Sequence, residues 1–266
     1  MIRVEFEKQL RRLRTLVVLG LLVGFPAAIT LVFKVGSTGG QHGGGGFVEL
    51  ARESGLNMAI LVLDHMGPTV LLGVGAVLAG SVVAEEASWG TLGYMLVRPV
   101  GRGRLLASKL VVIAALTLLA VALASLVAVV AGLAVFGWQS VETPSGTMLS
   151  PGTALARVAM ATPYLVWSLT GIMSIAFFVS TRSNSPLYAA ATAFGLAVIS
   201  EILDSFSAMG DARIVLPTHY WSAWQDLFAS PADWDGVLKG TALQVPYVIV
   251  ILAITFWSFR KRDILT

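Results

Sequence analysis

Residues 110–141, LVVIAALTLLAVALASLVAVVAGLAVFGWQSV, run for 32 positions between Lys109 and Glu142 without a charged side chain. A helix rises about 1.5 Å per residue, so roughly 20 apolar residues cross about 30 Å of hydrocarbon. This stretch is long enough to do so with residues to spare. Five further uncharged runs of 18 residues or more surround it, at 15–33, 65–84, 158–181, 183–200 and 240–259. In lipid every backbone N–H and C=O must be satisfied internally, and none of the six runs alternates as a barrel strand would, so each is read as a helix.

The fold class expected is an all-α membrane protein, a single transmembrane domain over 1–266 with passes near 16–35, 65–84, 110–136, 158–181, 186–205 and 241–259. Segments 36–64, 137–157 and 206–240 are assigned to the outer side, 85–109 to a cytoplasmic loop. Composition agrees: 12% of residues are charged and 56% hydrophobic, against about 25% charged in a soluble domain. With no cysteine, disulfides, thiolate nucleophiles and cysteine-ligated metals are excluded.

Basic residues set the expected orientation. Thirteen of the 18 Lys and Arg fall on the side holding both ends and the 85–109 loop; Lys34, Arg52, Arg157, Arg213 and Lys239 fall on the other. Both termini and that loop are therefore expected in the cytoplasm, in a multi-pass protein of the cell membrane. The charged, patterned segment ahead of the first run, with no small-residue cleavage site after it, argues against a cleaved signal peptide.

Across residues 1–15 and just beyond, Ile2, Phe6, Leu10, Leu13 and Val17 recur at helical spacing among Arg and Glu, the pattern of an amphipathic helix lying in the membrane interface; a bare positive-inside anchor would need the charges but not the stripe. Residues 36–46, GSTGGQHGGGG, read as a flexible link, and no Gly-Lys-Ser/Thr ending makes them a phosphate loop. Near the last pass Tyr220, Trp221, Trp224 and Phe228 suggest a short interfacial or partly re-entrant helix with its rings at headgroup level; an aromatic cage for a ligand is the sharper alternative. Ala120, Ala124, Ala128 and Gly132, and again Gly73, Val77 and Gly80, collect small side chains on one helix face, where another helix can approach closely.

Ionisable residues beside the passes are candidate sites. Asp64, His65, Glu201 and Asp204 sit at the outer ends of passes two and five, which fits an outer vestibule, or simple solvation, better than a midplane proton relay. The three histidines match no metal spacing, no serine-hydrolase elbow occurs, and no catalytic, cofactor-binding or metal residue is expected.

The 85–109 loop reads Glu85-Glu86-Ala-Ser-Trp-Gly90-Thr91-Leu92-Gly-Tyr-Met95-Leu96-Val-Arg98-Pro99-Val100-Gly-Arg102-Gly-Arg104, ending on Lys109. A short helix starting near Thr91 and stopping before Pro99 would present Leu92, Met95 and Leu96 on one face. The order Glu86, Gly90, Thr91, Leu92, Pro99, Val100, Arg102, Lys109 resembles the loop between helices two and three of type 2 ABC transporter permeases, with Ser108 where the family usually has glycine. Six passes, the basic N-terminal helix and the basic C-terminal end are also similar to that family.

The resemblance implies a non-catalytic permease of an exporter type that pairs with a second permease as a homodimer or heterodimer and with two cytoplasmic ABC ATPase subunits. ATP and Mg would be held by those partners and not by this chain; the lipid bilayer is the remaining partner and nucleic acid is not one. It further implies that the loop is a cytoplasmic coupling helix seated on the ATPase, that residues 86–98 receive the push, and that helices two and five line the path between the permeases. Glu86 would anchor the segment, and Arg98, Arg102 and Arg104 would meet ATPase carboxylates or lipid phosphates. Two readings from other classes stay open: an ion-driven secondary transporter titrating Asp64, His65, Glu201 and Asp204, and a non-transporting scaffold whose loop recruits a partner.

Overall fold

A computed structural model describes residues 2–36, 50–90, 101–143 and 146–261. Of the described residues 84% are helical, and among them six stretches are long and apolar enough to span a membrane. In chain order the helices are α1 (Ile2–Leu10), α2 (Leu13–Val35), α3 (Gly55–Met66), a π turn (Gly67–Leu71), α4 (Leu72–Ser88), α5 (Arg102–Phe136), α6 (Pro151–Ser168), α7 (Thr170–Arg182), α8 (Pro186–Ser205) and α9 (Asp235–Lys261). Two 3-10 helices, Ser207–Val215 and Trp221–Phe228, lie between α8 and α9. A two-residue ladder pairs Val141 with Leu149 and Glu142 with Met148. The end of the bundle carrying α1 is called proximal below, and the end carrying the 3-10 helices distal.

Local chemistry sets several boundaries. Ser150 and Ser185 each accept a bond from the N–H three residues on, Thr153 and Tyr188, and each is followed by proline at the first helical position, where a missing N–H costs nothing. Ser54 caps α3 by accepting from Leu56 N. The break between α6 and α7 falls at Leu169, after which the chain continues as one stretch to Arg182.

Close packing depends on the small residues. A Cβ on Gly55 would lie 2.6 Å from the backbone carbon of Gly132, and one on Gly80 would lie 2.7 Å from the backbone nitrogen of Ala190. Only glycine lets α3 meet α5, and α4 meet α8, at these crossings. Ala120, Ala124 and Ala128 are buried on the same face of α5 as Gly132. Both small-residue faces are thus occupied within the chain.

Several expected boundaries are corrected. Residues 55–64, expected within the connection 36–64, form most of α3, a helix whose residues are nearly all buried. The charge-run criterion stopped at Asp64, yet that carboxylate has a partner, Gln225, and does not end the helix. Likewise 151–157 belong to α6 and 235–240 to α9, because Arg157 donates to the Ala229 carbonyl at 2.7 Å and Lys239 pairs with Asp235 one turn away. α5 begins at Arg102, so 102–109 are helical, and 85–88 complete α4. Pass five coincides with α8. Residues 37–46 of the glycine-rich link lie outside the described residues.

α1 also differs from expectation in the face it turns to the bundle. Its buried residues are Glu5 and Gln9, while Ile2 at its start and Leu13 and Val17 on α2 are exposed. The polar side docks on protein; of the apolar stripe Phe6 and Leu10 pack partly against the core, and only its ends face the surroundings.

Candidate functional site

Two places gather ionisable side chains. The proximal one lies where α1, α4 and α5 meet. Lys109, in the second turn of α5, is 1% exposed and Glu86, near the end of α4, is fully buried. Their charged atoms are 2.7 Å apart. Lys109 Nζ also donates to Glu5 Oε1 at 3.0 Å and to the Val82 carbonyl at 3.2 Å, and Lys8 Nζ donates to the other oxygen of Glu86 at 2.7 Å. Gln9 donates to Glu5, and Arg14 to Gln9. Next to them Glu85 receives both Arg12 and Arg14, and Arg12 lies 5.3 Å from the centre of the Trp89 ring.

Three carboxylates thus face four cations in one part-buried cluster, and opposite charges in such surroundings attract far more strongly than in water. Burial alone would raise the Glu5 carboxyl, but the Lys109 ammonium, supported by Gln9 and Lys8, holds it below its ordinary value. For Arg12 burial dominates and lowers its basicity, against the pull of Glu5 and Glu86. Breaking one member of such a pair strands its partner, which costs about 3–5 kcal/mol. What the cluster does mechanically is join both roots of the 85–109 loop to the N-terminal helix.

Of the residues singled out in that loop, Glu85, Glu86 and Lys109 are thereby brought together. Arg102 donates to the Arg260 carbonyl of α9 at 3.1 Å, so the root of α5 is also tied to the last helix. Gly90 turns the chain with φ +66° just after α4, a conformation that favours glycine. Thr91, Leu92, Met95, Leu96, Arg98 and Pro99 lie outside the described residues, as does the short helix expected there. The partners Glu5, Lys8 and Arg12 escaped the sequence reading; Glu5 and Gln9, four residues apart and off the apolar stripe, were the signal available.

The distal site is a cavity of about 110 Å³ whose lining includes Asp64, Glu201, Asp204, His219, Trp221 and Trp224. Asp64, Glu201 and Asp204 do converge, as expected of a vestibule. His65 does not line it: its ring is directed to the Leu61 carbonyl at 3.0 Å and stays exposed. His219 takes its place, with Nδ1 at 2.5 Å from Asp204 Oδ1, and Gln225 donates to Asp64. Nothing local in sequence marks these two, since their partners stand 15 and 161 residues away.

The aromatic segment is the main correction here. Trp221, Trp224 and Phe228 were expected to turn their rings toward headgroups; they are buried within the distal end, Trp224 at 2% exposure. Their helix is 3-10, with Trp224 and Phe228 edge to face at 6.0 Å. The segment is moored from several helices: Tyr164 donates to the Tyr220 carbonyl at 2.5 Å, Trp221 to the Ser168 carbonyl at 3.3 Å, and Gln244 to the Pro217 carbonyl at 2.8 Å. Asp226, beside it, is pushed above the usual carboxylate range by burial and by neighbouring Asp233. Although Asp64, Glu201, Asp204 and His219 share one cavity, among the described residues no three His, Asp or Glu are placed so that they could hold a metal ion.

Residues 46–265 match a family model described as Protein of unknown function (DUF2705). The chain is also similar to "Uncharacterized protein YhcI" of Bacillus subtilis (strain 168), at 26% identity over 229 residues, covering 81% of this chain and 72% of the relative.

Proposed function

The chain belongs to the DUF2705 family; on the order of residues along the 85–109 loop and the packing of its roots, we propose that it is the membrane-embedded permease subunit of an ATP-driven transporter of the type 2 ABC kind, acting as an exporter. Two cytoplasmic ATPase subunits bind ATP and Mg, and a second permease completes the path. Both termini and the 85–109 loop lie in the cytoplasm, and residues 86–98 form the coupling segment. The observation that carries the reading is the ion-paired closure of the loop roots: Glu86 on α4 and Lys109 on α5 meet inside the protein and take Glu5 and Lys8 of α1 with them. A loop whose two roots are clamped moves as a lever, so a push on it is passed to α4 and α5 instead of being absorbed by slack. Inside the chain α4 packs on α8 through Gly80, so displacement of pass two reaches pass five directly.

The test is co-purification and ATPase assay. Tagged full-length chain extracted in mild detergent is expected to bring down an ABC ATPase subunit, and Glu86→Ala to lower permease-stimulated ATP hydrolysis while membrane insertion is retained. Failure to retain any ATPase, with transport intact, overturns the reading.

A second reading rests on the distal cavity, where Asp64, Glu201 and Asp204 converge: an ion-driven carrier using these groups, with His65 outside the cavity. Transport in vesicles that needs no ATP and collapses with the proton gradient favours it.

A further inference from the structure

The proximal rim also carries a groove between α1 and the first turns of α5. It is about 480 Å³ and is lined by Ile2, Arg3, Arg104, Ala107, Ser108 and Val111. On α5 the lining residues fall at i, i+3, i+4 and i+7, one face of a helix, and descend about 10 Å from Arg104 to Val111. Their chemistry changes with depth: a guanidinium first, then a methyl and a hydroxyl, then an apolar side chain. Across the groove, α1 offers Arg3 and, next to it in the chain, the apolar Ile2.

The charges are available. Arg104 is exposed, and Arg3 is 91% exposed with one of its five donors given to Glu7 at 3.2 Å. Below the groove the same face of α5 remains uncovered, with Val111 and Leu118 both 51% exposed, so its deep end opens onto an apolar track. Ala107 supplies the depression: it is the smallest side chain between the basic rim and Val111.

We propose that this groove holds one phospholipid with an anionic headgroup, its phosphate between Arg3 and Arg104, its ester region at Ala107 and Ser108, and an acyl chain following Val111 toward Leu118. The ordering of charge, small polar and apolar surface over one headgroup depth matches an amphiphile; a free anion would have no use for the apolar half, and an acidic peptide none for the track. Guanidinium forks suit phosphate oxygens, and each basic residue near an anionic surface strengthens attachment. The assignment does not depend on the transport reading.

Native mass spectrometry of the full chain in detergent, titrated with phosphatidylglycerol or phosphatidylcholine of equal chain length, tests it. Retention of one phosphatidylglycerol per chain, at least about tenfold over phosphatidylcholine, is expected. The double variant Arg3→Gln/Arg104→Gln should lose that preference. Ala107→Trp, which fills the groove with both arginines in place, should lose the bound lipid, and millimolar inorganic phosphate should not displace it. Equal retention of the two lipids, unchanged retention in Ala107→Trp, or full displacement by phosphate each overturns the proposal. Should the double variant not fold, Ala107→Trp and the single Arg104→Gln decide the matter.

Discussion

The Lys109 ammonium and the Glu86 carboxylate stand 2.7 Å apart with at most 1% of either side chain exposed. Both residues sit at the roots of one loop, and both reach back to the same N-terminal helix.

Lys109→Met is expected to cost about 3–5 kcal/mol, because it strands Glu86 and Glu5 without their shared cation. Pairing it with Glu86→Gln should recover a large part of that loss. Thermal unfolding of the two variants in the same detergent checks this; identical melting points for single and double variants would show that the two residues are not coupled.

Docking of α1 should weaken in acid. Glu5 has its carboxyl pKa lowered by its partners, so its contribution is fully present above its ordinary value of 4.5 and is lost as the pH falls through the lowered one. Hydrogen exchange of residues 2–10 should therefore accelerate relative to α8 on going from neutral pH to about pH 3. In Glu5→Gln that differential acceleration should be absent.

Crossings made by glycine should refuse side chains. Gly80→Val sets new atoms against the Ala190 backbone and is expected to cost about 1–3 kcal/mol. Gly195→Ala, on a helix position with nothing within 4 Å, should leave the melting point unchanged or slightly raised. Comparable losses for both would mean that the α4 and α8 crossing is not as tight as described.

Trp224→Ala removes a buried ring and should destabilise the distal end by about 3–5 kcal/mol. Trp234, 46% exposed, is the matched control, with an expected effect within about 0.5 kcal/mol. Acrylamide quenching separates the two directly: loss of Trp234 should remove a quenchable component of emission, and loss of Trp224 a protected one.

The passes were legible because apolar length is a local property. Pass five, expected over 186–205, spans the same residues as α8, which Ser185 caps and Pro186 opens. Where a pass was clipped, the cause was a charge with a distant partner: Arg157 with the Ala229 carbonyl, Asp64 with Gln225. Counting charges along the chain treats each as a stop signal, whereas a partnered charge can stay inside a helix. α3 was lost to that rule.

The same limit applies to the sites. Glu86 and Lys109 stood out through the order of residues around them, but Glu5 lies 104 residues from Lys109, and no spacing connects the two. At the distal end three of the four flagged ionisable residues line one cavity, while the histidine that joins them is His219 and not His65. Aromatic spacing marked Trp221, Trp224 and Phe228 as one face of a helix; it could not tell whether lipid or protein lay opposite.

α5 runs for 35 residues, about 52 Å of rod for an apolar slab of about 30 Å. The rod is longer than the slab is thick, and near its far end Gly132 meets Gly55. α3, which meets α5 there through Gly55, bears Asp64 of the distal chamber near its other end, and on the proposed topology that chamber faces the wetter edge of the bilayer. Water-soluble carboxyl or imidazole reagents, or a binder raised against that crown, would then have a route to it without first permeating the lipid.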